Sequence, residues 1–501
     1  MMHHLEILYQ QLEEIKTEKT QQLANQHFER AAALRDTEKR LLEECENLEK
    51  KHRIKLSKSK YIKGMNCPKA LWLYVHKYDQ QEFSDQQETI FQQGTDIGEL
   101  AQQLFPNGVL AVKPNEYPGL ATAKYTRRLI EQGVTTIYEA TFMYNNIVVA
   151  VDILDCKNGQ WNAFEVKSTN SLKEVHISDA SIQYYVMKHQ LFLTTPEMYV
   201  IHFDSSYVRQ GDLDLRKLFT ADKITTQVTD LQPDIPANVL QLKKTLLYDE
   251  PNIDMGNQCI SPYPCSFYTY CSKQQLTEED LQPELSHEPI IDTSYIQKFV
   301  SEIDYPLGFF DFETIMPAVP MFDQSRPYQQ ITFQFSLHSL QQAQANLIHQ
   351  EHLAQPIGDP RLQIIPSILQ FTANLQTIFV YNISFERSRL QEMARDFPQY
   401  EKEILRLIEK LVDLMPIFRY YYRTESMGTK YSIKTVLPIL IPEMSYEKLD
   451  INNGADASAI FYNLYQDTKP LNHDSIRQQL IDYCTMDTFA LVKLWELLQK
   501  V

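Results

Sequence analysis

The chain has 501 residues, a formal net charge of −17 and seven cysteines. That length allows two or three domains, each with its own core, and the composition is that of a globular protein. The acidic balance argues against a general polyanion binder, whose affinity comes from phosphate neutralisation, but it is compatible with metal sites built from carboxylates. No apolar run of about 18 residues occurs and the N-terminus lacks the apolar segment of a secretory signal, so the expectation is a soluble cytoplasmic protein that does not contact a membrane. Clustered cysteines in such a compartment point to metal binding rather than disulfides.

Residues 1–52 are polar, free of Pro and Gly, and carry Leu and Ile at helical spacing, which predicts two helices or one helical hairpin forming an N-terminal arm. Within it, Ala24–Asp36 reads ANQHFERAAALRD and resembles the UVR motif of bacterial excision-repair proteins. The resemblance implies a buried face of Phe28, Ala31, Ala32 and Leu34, exposed Glu29, Arg30, Arg35 and Asp36, and docking to a repair partner. Plain structural packing is the alternative.

Leu56–Leu73, LSKSKYIKGMNCPKALWL, opens with Ser57 in a position to cap a helix and contains Cys67. Three more cysteines, Cys259, Cys265 and Cys271, follow one another with five intervening residues each time, in a stretch containing Pro262 and Pro264. Four thiolates suit zinc or an iron–sulfur cluster, and the CxxC pairs usual in zinc ribbons are missing. Between them, two apolar runs flank Lys157-Asn158-Gly159, a strong hairpin signal. Alternation along a strand puts Glu165 and Lys167 on one face. With Asp152 on the neighbouring strand, the set is suited to a divalent metal and a phosphodiester.

Asp152 followed by Glu165-x-Lys167 resembles the PD-(D/E)xK motif. One early cysteine and three late ones bracketing it resemble the RecB-like nucleases of the AddB and CRISPR-associated type, in which a [4Fe–4S] cluster ties the ends of the domain together. The resemblance implies that Asp152 and Glu165 hold Mg²⁺ or Mn²⁺, that Lys167 orients a water or stabilises charge, and that Gln183, on a helix over Ser178–Gln190, positions the phosphate or base. It also implies that Cys67, Cys259, Cys265 and Cys271 hold the cluster, with Zn²⁺ as the alternative. The sequence departs from the pattern twice. A helix over Phe91–Phe105 matches the family's glycine at Gly94, but Gly98 stands where the metal-binding histidine is expected, so that a water or another carboxylate, Glu99 or Glu139, would have to substitute. Met187 stands where a tyrosine is usual.

A polar stretch over residues 276–296 reads as a linker. Tyr305–Thr314, YPLGFFDFET, then predicts a core strand with Asp311 and Glu313 on one face, two carboxylates that need a cation. Thr377–Leu390 reads as a buried strand running into Asn382, Phe385 and Glu386 at a helix start, and Ile481–Leu494 as a helix with Tyr483 and Asp487 at i and i+4. Together these resemble the three motifs of DnaQ-like, DEDD-type 3′–5′ exonucleases, with Glu386 in place of the usual aspartate. The implied metal ligands are Asp311, Glu313, Glu386 and Asp487. Tyr483 would orient water, and Asp413 is a candidate supporting carboxylate.

The expected architecture is therefore α/β and multidomain: a helical arm (1–52), a restriction-endonuclease-like PD-(D/E)xK core (56–275), a linker (276–296) and a ribonuclease H-like domain (297–501). The expected function is metal-dependent hydrolysis of nucleic acid, DNA rather than RNA, in repair or defence. Two alternatives stand beside it: that only the DnaQ-like site hydrolyses while the first domain grips nucleic acid, or that the chain is a repair-complex adaptor recruited through its arm.

Overall fold

The computed structural model describes the chain apart from residues 1, 52–53, 83–95, 113–115, 191, 262–263, 276–289, 429, 447–448 and 467–472. It is a mixed α/β protein, about half helical. The chain packs as two compact units, one of residues 1–205 and 214–279, the other of residues 206–213 and 280–501.

The first unit begins with helices Met2–Ala24 and Phe28–Lys51, joined by a tight turn in which Gln26 adopts a left-handed conformation. Leu5, Leu8, Tyr9, Leu12, Leu41 and Cys45 from this hairpin belong to the same core as the sheet that follows, so its base is an integral layer of the unit and not a free arm. The expected buried face of the UVR-like stretch is corrected in part. Ala31 is buried and Leu34 half-buried, but Ala32 is exposed and Phe28 is 67% exposed. The inward stripe of the second helix runs through Ala31, Leu41 and Cys45, and Phe28 falls in the first turn at the hairpin tip.

A buried ion pair locks the hairpin to the sheet. Glu49, fully buried, accepts from Lys243 at both carboxylate oxygens at 2.8 Å, and also from Tyr9 (2.7 Å) and Asn146 (2.8 Å). Lys243 further donates to the carbonyl and side chain of Asn145.

The seven strands of this sheet are β1 (Leu56–Ser57), β2 (Val109–Leu110), β3 (Thr136–Tyr144), β4 (Ile147–Lys157), β5 (Gln160–Val166), β6 (Glu197–Phe203) and β7 (Phe219–Lys223). The order is β2-β3-β4-β5-β6-β7, with β1 beside the start of β4. Asn158 and Gly159 both have positive φ, the conformation that a two-residue hairpin loop requires, and Asn145-Asn146 repeats it between β3 and β4. Helix Glu174–Met187 covers the sheet.

In the second unit a short strand, β8 (Ile290–Ile291), precedes helix Thr293–Ser301. Of the expected linker, residues 276–289 lie outside the described residues, while 290–296 are structured: β8 is recruited by main-chain pairing with a later strand and Ile296 enters the core. A five-stranded sheet follows, made of β9 (Leu307–Ile315), β10 (Ile331–Leu340), β11 (Ile348–Leu353), β12 (Thr377–Val380) and β13 (Leu411–Asp413) in the order β11-β10-β9-β12-β13. β10 is antiparallel to β9 and β11, whereas β9, β12 and β13 run parallel. The strand that pairs with β8 is β14 (Tyr422–Arg423). Helix His473–Leu498 lies across the sheet and buries Trp495 against Phe379.

Replacing Lys243 with alanine leaves the Glu49 carboxylate buried without its cation. The expected loss of unfolding free energy is about 3–5 kcal/mol, whereas Lys223→Ala, whose pair with Glu197 is exposed, should scarcely change stability. Urea denaturation of the two variants measures the difference.

Candidate functional site

The first candidate site lies where β4 and β5 part. Their ladder ends at Ile153↔Phe164, and beyond it the Asp152 carboxylate accepts the Val166 N–H at 2.6 Å in place of a main-chain carbonyl. Glu165 is buried one residue before this point. Its Oε1 faces Lys167 at 3.0 Å and Lys58 at 2.5 Å, and its Oε2 accepts from the Gln183 amide at 2.6 Å. Gln183 also donates to the Ala150 carbonyl, and Lys167 is paired in addition with Asp179. Asp152, Glu165, Lys167 and Gln183 are thus brought together.

Two participants had no sequence assignment. Lys58 opens helix Lys58–Asn66, which Ser57 caps by accepting the Lys60 N–H at 3.2 Å. Asp179 stands one turn before Gln183 on its helix, a spacing the sequence does display. Of the two carboxylates offered as substitutes for the histidine, Glu139 joins the group. It has φ +53° in β3, opposite Asp152, and feels the charges of Asp152, Lys58 and Glu165. Glu99 is exposed on the helix of residues 96–102. Gly94 lies outside the described residues. A Cβ at Gly98 would meet nothing within 4 Å, so packing does not demand glycine there.

Burial and the neighbouring carboxylates push Glu139 to about 8 and Asp152 to about 6. Burial also opposes ionisation of Glu165, but the ammonium groups of Lys58 and Lys167 outweigh it and hold Glu165 at about 2.

Cys67, Cys259, Cys265 and Cys271 line one small cavity of about 20 Å³, walled by Ala70 and Phe267. None is in a disulfide. Burial raises the Cys265 and Cys271 thiols, and Lys63 and Lys69 act in the opposite sense. The segments that carry them are also stitched by Asn66 to the Gln258 carbonyl (2.9 Å) and Trp72 to the Tyr248 carbonyl (2.8 Å).

The second candidate site is assembled from three segments of the other unit. Asp311 and Glu313 project from β9, the central strand. Glu386 lies in the first turn of helix Ile383–Asp396, and Tyr483 and Asp487 lie on helix His473–Leu498. Asp311 is half-buried and the other three carboxylates are buried. Burial raises all four, and repulsion from neighbouring carboxylates adds to it at Asp311 and Glu313, which go well above the carboxylate range; burial with the charge of Asp413 takes Glu386 to about 8, and burial takes Asp487 to about 6 against the opposing effects of Tyr446, Lys434 and Tyr483. Glu386 Oε2 is buried with no hydrogen-bond partner among the described residues.

Asp487 accepts from Tyr446 at 2.6 Å, and Lys434 donates to the Tyr483 hydroxyl and the Asn452 carbonyl, each at 2.8 Å. Burial and the surrounding carboxylates keep both phenols protonated. Tyr446 and Lys434 escaped sequence reasoning, although Lys434 sits in the Tyr431–Pro438 segment between the motifs. Asp413 serves the backbone: it accepts the N–H groups of Asn382 (3.0 Å), Ile383 (3.1 Å) and Met415 (2.9 Å), thereby capping the helix that carries Glu386.

These features define a mixed α/β protein with a crowded carboxylate centre in one unit, and an acid–lysine centre and a cysteine quartet in the other. The family described as "Domain of unknown function (DUF2779)" matches residues 308–432, which include Asp311, Glu313 and Glu386. The chain is similar to the "Uncharacterized protein MG366 homolog" of Mycoplasma pneumoniae, 28% identical over 207 residues that make up 37% of this chain and 31% of that protein. It is also similar to "Uncharacterized protein UU173" of Ureaplasma parvum, 28% identical over 226 residues, 38% of this chain and 31% of that protein. The chain thus spans about a third of the length of these relatives.

Glu386 supplies a pH test of the crowding. Its carboxyl holds a proton in the folded state up to about 8, against an ordinary 4.5. Between those values the folded state binds more protons than the unfolded one, so stability falls as pH rises through this window. In EDTA, Glu386→Gln is expected to flatten the slope and to be more stable than the unmodified protein at pH 8, by at least about 1 kcal/mol, as read from urea denaturation across the window.

Proposed function

We propose that the chain is a divalent-metal-dependent nuclease acting on DNA in repair or defence, with the DnaQ-like centre as its principal hydrolytic site. The observation that carries the reading is the meeting of Asp311, Glu313, Glu386 and Asp487, buried or half-buried, from three distant segments. Like charges gathered out of water are tolerated when a cation joins them, and hard carboxylate oxygens suit Mg²⁺ or Mn²⁺. The mixed sheet with its acidic strand at the centre agrees with a ribonuclease H-like domain.

The four carboxylates would hold the metal, which when bound supplies Lewis acidity and a more acidic water for attack on phosphorus. Tyr483, steadied by Lys434, would orient that water. The Lys434 ammonium would also offset part of the negative charge that develops on the phosphate.

The first unit is read as a RecB-like PD-(D/E)xK domain, with Asp152 and Glu165 for the metal, Lys167 for water or charge and Gln183 for orientation. One observation favours the alternative that this domain binds nucleic acid without cutting it. Glu165 is already answered by two lysines, Lys58 and Lys167, and the histidine position is Gly98. The cysteine quartet suits a [4Fe–4S] cluster, or Zn²⁺, tying the early and late segments together. A repair partner docking at the UVR-like tip, where Phe28 is exposed, belongs to the same proposal.

End-labelled DNA and RNA given Mg²⁺ or Mn²⁺ should be degraded, and Asp487→Asn should lower the rate at least about a hundredfold. Lys167→Ala should leave most of the activity if the second centre acts alone. A rate equal to that of the Asp311→Ala, Glu165→Ala double variant would refute the nuclease reading. For the quartet, anaerobically purified protein should be brown with absorbance near about 400 nm, and Cys259→Ser should abolish it; colourless protein with stoichiometric zinc selects the other metal.

A further inference from the structure

The carboxylate centre contains a thiol that none of the foregoing roles employs. Cys484 follows Tyr483 on helix His473–Leu498 and precedes Asp487 by three residues, so the helix turns Cys484 and Asp487 toward the same side. Its side chain is completely buried. The Cys484 sulfur and one carboxylate oxygen each from Asp311 and Glu313 all lie within 4.8 Å of one another. A second observation points to a ligand beside Asp311: Glu386, whose charge Asp311 feels, keeps Oε2 buried with no hydrogen-bond partner among the described residues. A buried oxygen without a partner calls for one, and a cation is the partner that the surrounding acids favour.

We propose that Cys484 is a metal-binding residue of this centre and gives it a preference for borderline divalent ions such as Co²⁺ or Zn²⁺ over Mg²⁺. The inference rests on the metal-dependent reading of the same site and deepens it. Oxygen donors alone satisfy a hard ion, whereas a sulfur donor adds affinity only for softer ions. The thiol would bind as thiolate, its proton passing to solvent as the ion enters. A buried cysteine that merely fills space would favour no metal over another.

Cobalt distinguishes the two, because a thiolate bound to Co²⁺ gives a near-ultraviolet charge-transfer band that oxygen ligands lack. The full-length protein is titrated with Co²⁺ beside Asp311→Asn, so that any signal from the four-cysteine site is common to both and cancels in the difference. The expected difference spectrum contains the band. Cys484→Ser and Cys484→Ala should lose it and bind Co²⁺ at least about tenfold more weakly, while Mg²⁺ affinity changes by less than about twofold. Thermal melts establish that each variant is folded, and the serine variant nearly conserves volume. A band that persists in both Cys484 variants overturns the thiol assignment and leaves the carboxylate site standing. Identical Co²⁺ binding by the unmodified protein and Asp311→Asn overturns both.

Discussion

A carboxylate removed from water must be met by a cation, by hydrogen bonds or by a proton, and the fold depends on how each buried acid is met. Glu49 is met by Lys243, Tyr9 and Asn146, and this joint fastens the helical hairpin to the sheet. Asp396, in the second unit, is met by Arg326, Arg361, Arg395 and Gln329, which hold its carboxyl below the ordinary range although burial alone would raise it. The same unit leaves Asp311, Glu313, Glu386 and Asp487 crowded together. Structural acids and the candidate centre are therefore told apart by what answers them, a distinction that residue type alone does not supply.

The two candidate centres differ by the same measure. At the first, Lys58 and Lys167 compensate Glu165 and the residual strain falls on Asp152 and Glu139. At the second, the cation nearest to Tyr483, Lys434, is bonded to the phenol and to a main-chain carbonyl. An ion entering the first centre must compete with an ammonium group for Glu165. One entering the second relieves repulsion among acids, and gains Glu386 Oε2 as a donor. This asymmetry makes the second centre the better candidate for a cation.

Sequence was informative where the physics is local. The Asn158-Gly159 turn, the alternation that sets Asp311 and Glu313 on one face, the i,i+4 pair of Tyr483 and Asp487 and the Ser57 cap all depend on neighbours within a few residues. What escaped depends on distant partners. Lys58 reaches a glutamate 107 positions away, and Tyr446 reaches Asp487 across 41. Phe28 was misassigned because an apolar residue at helical spacing is buried only where another element covers it, and the hairpin tip offers none to Phe28. Residues 290–296 were misassigned because a two-residue strand has no periodicity to read, only a partner at Tyr422–Arg423.

Asp413 shows that a carboxylate beside a centre can act on it through the backbone. It stands beside the second centre, as expected of a supporting carboxylate, and its charge does reach Glu386. Its oxygens, however, are occupied by the N–H groups of Asn382, Ile383 and Met415, where Asn382 takes the left-handed conformation that turns the chain from β12 into the helix. Removing Asp413 would release that turn and displace Glu386 without touching a metal ligand. Its contribution to the centre is thus largely geometric, transmitted through the helix N-terminus, while its charge adds to the burial that raises the Glu386 carboxyl.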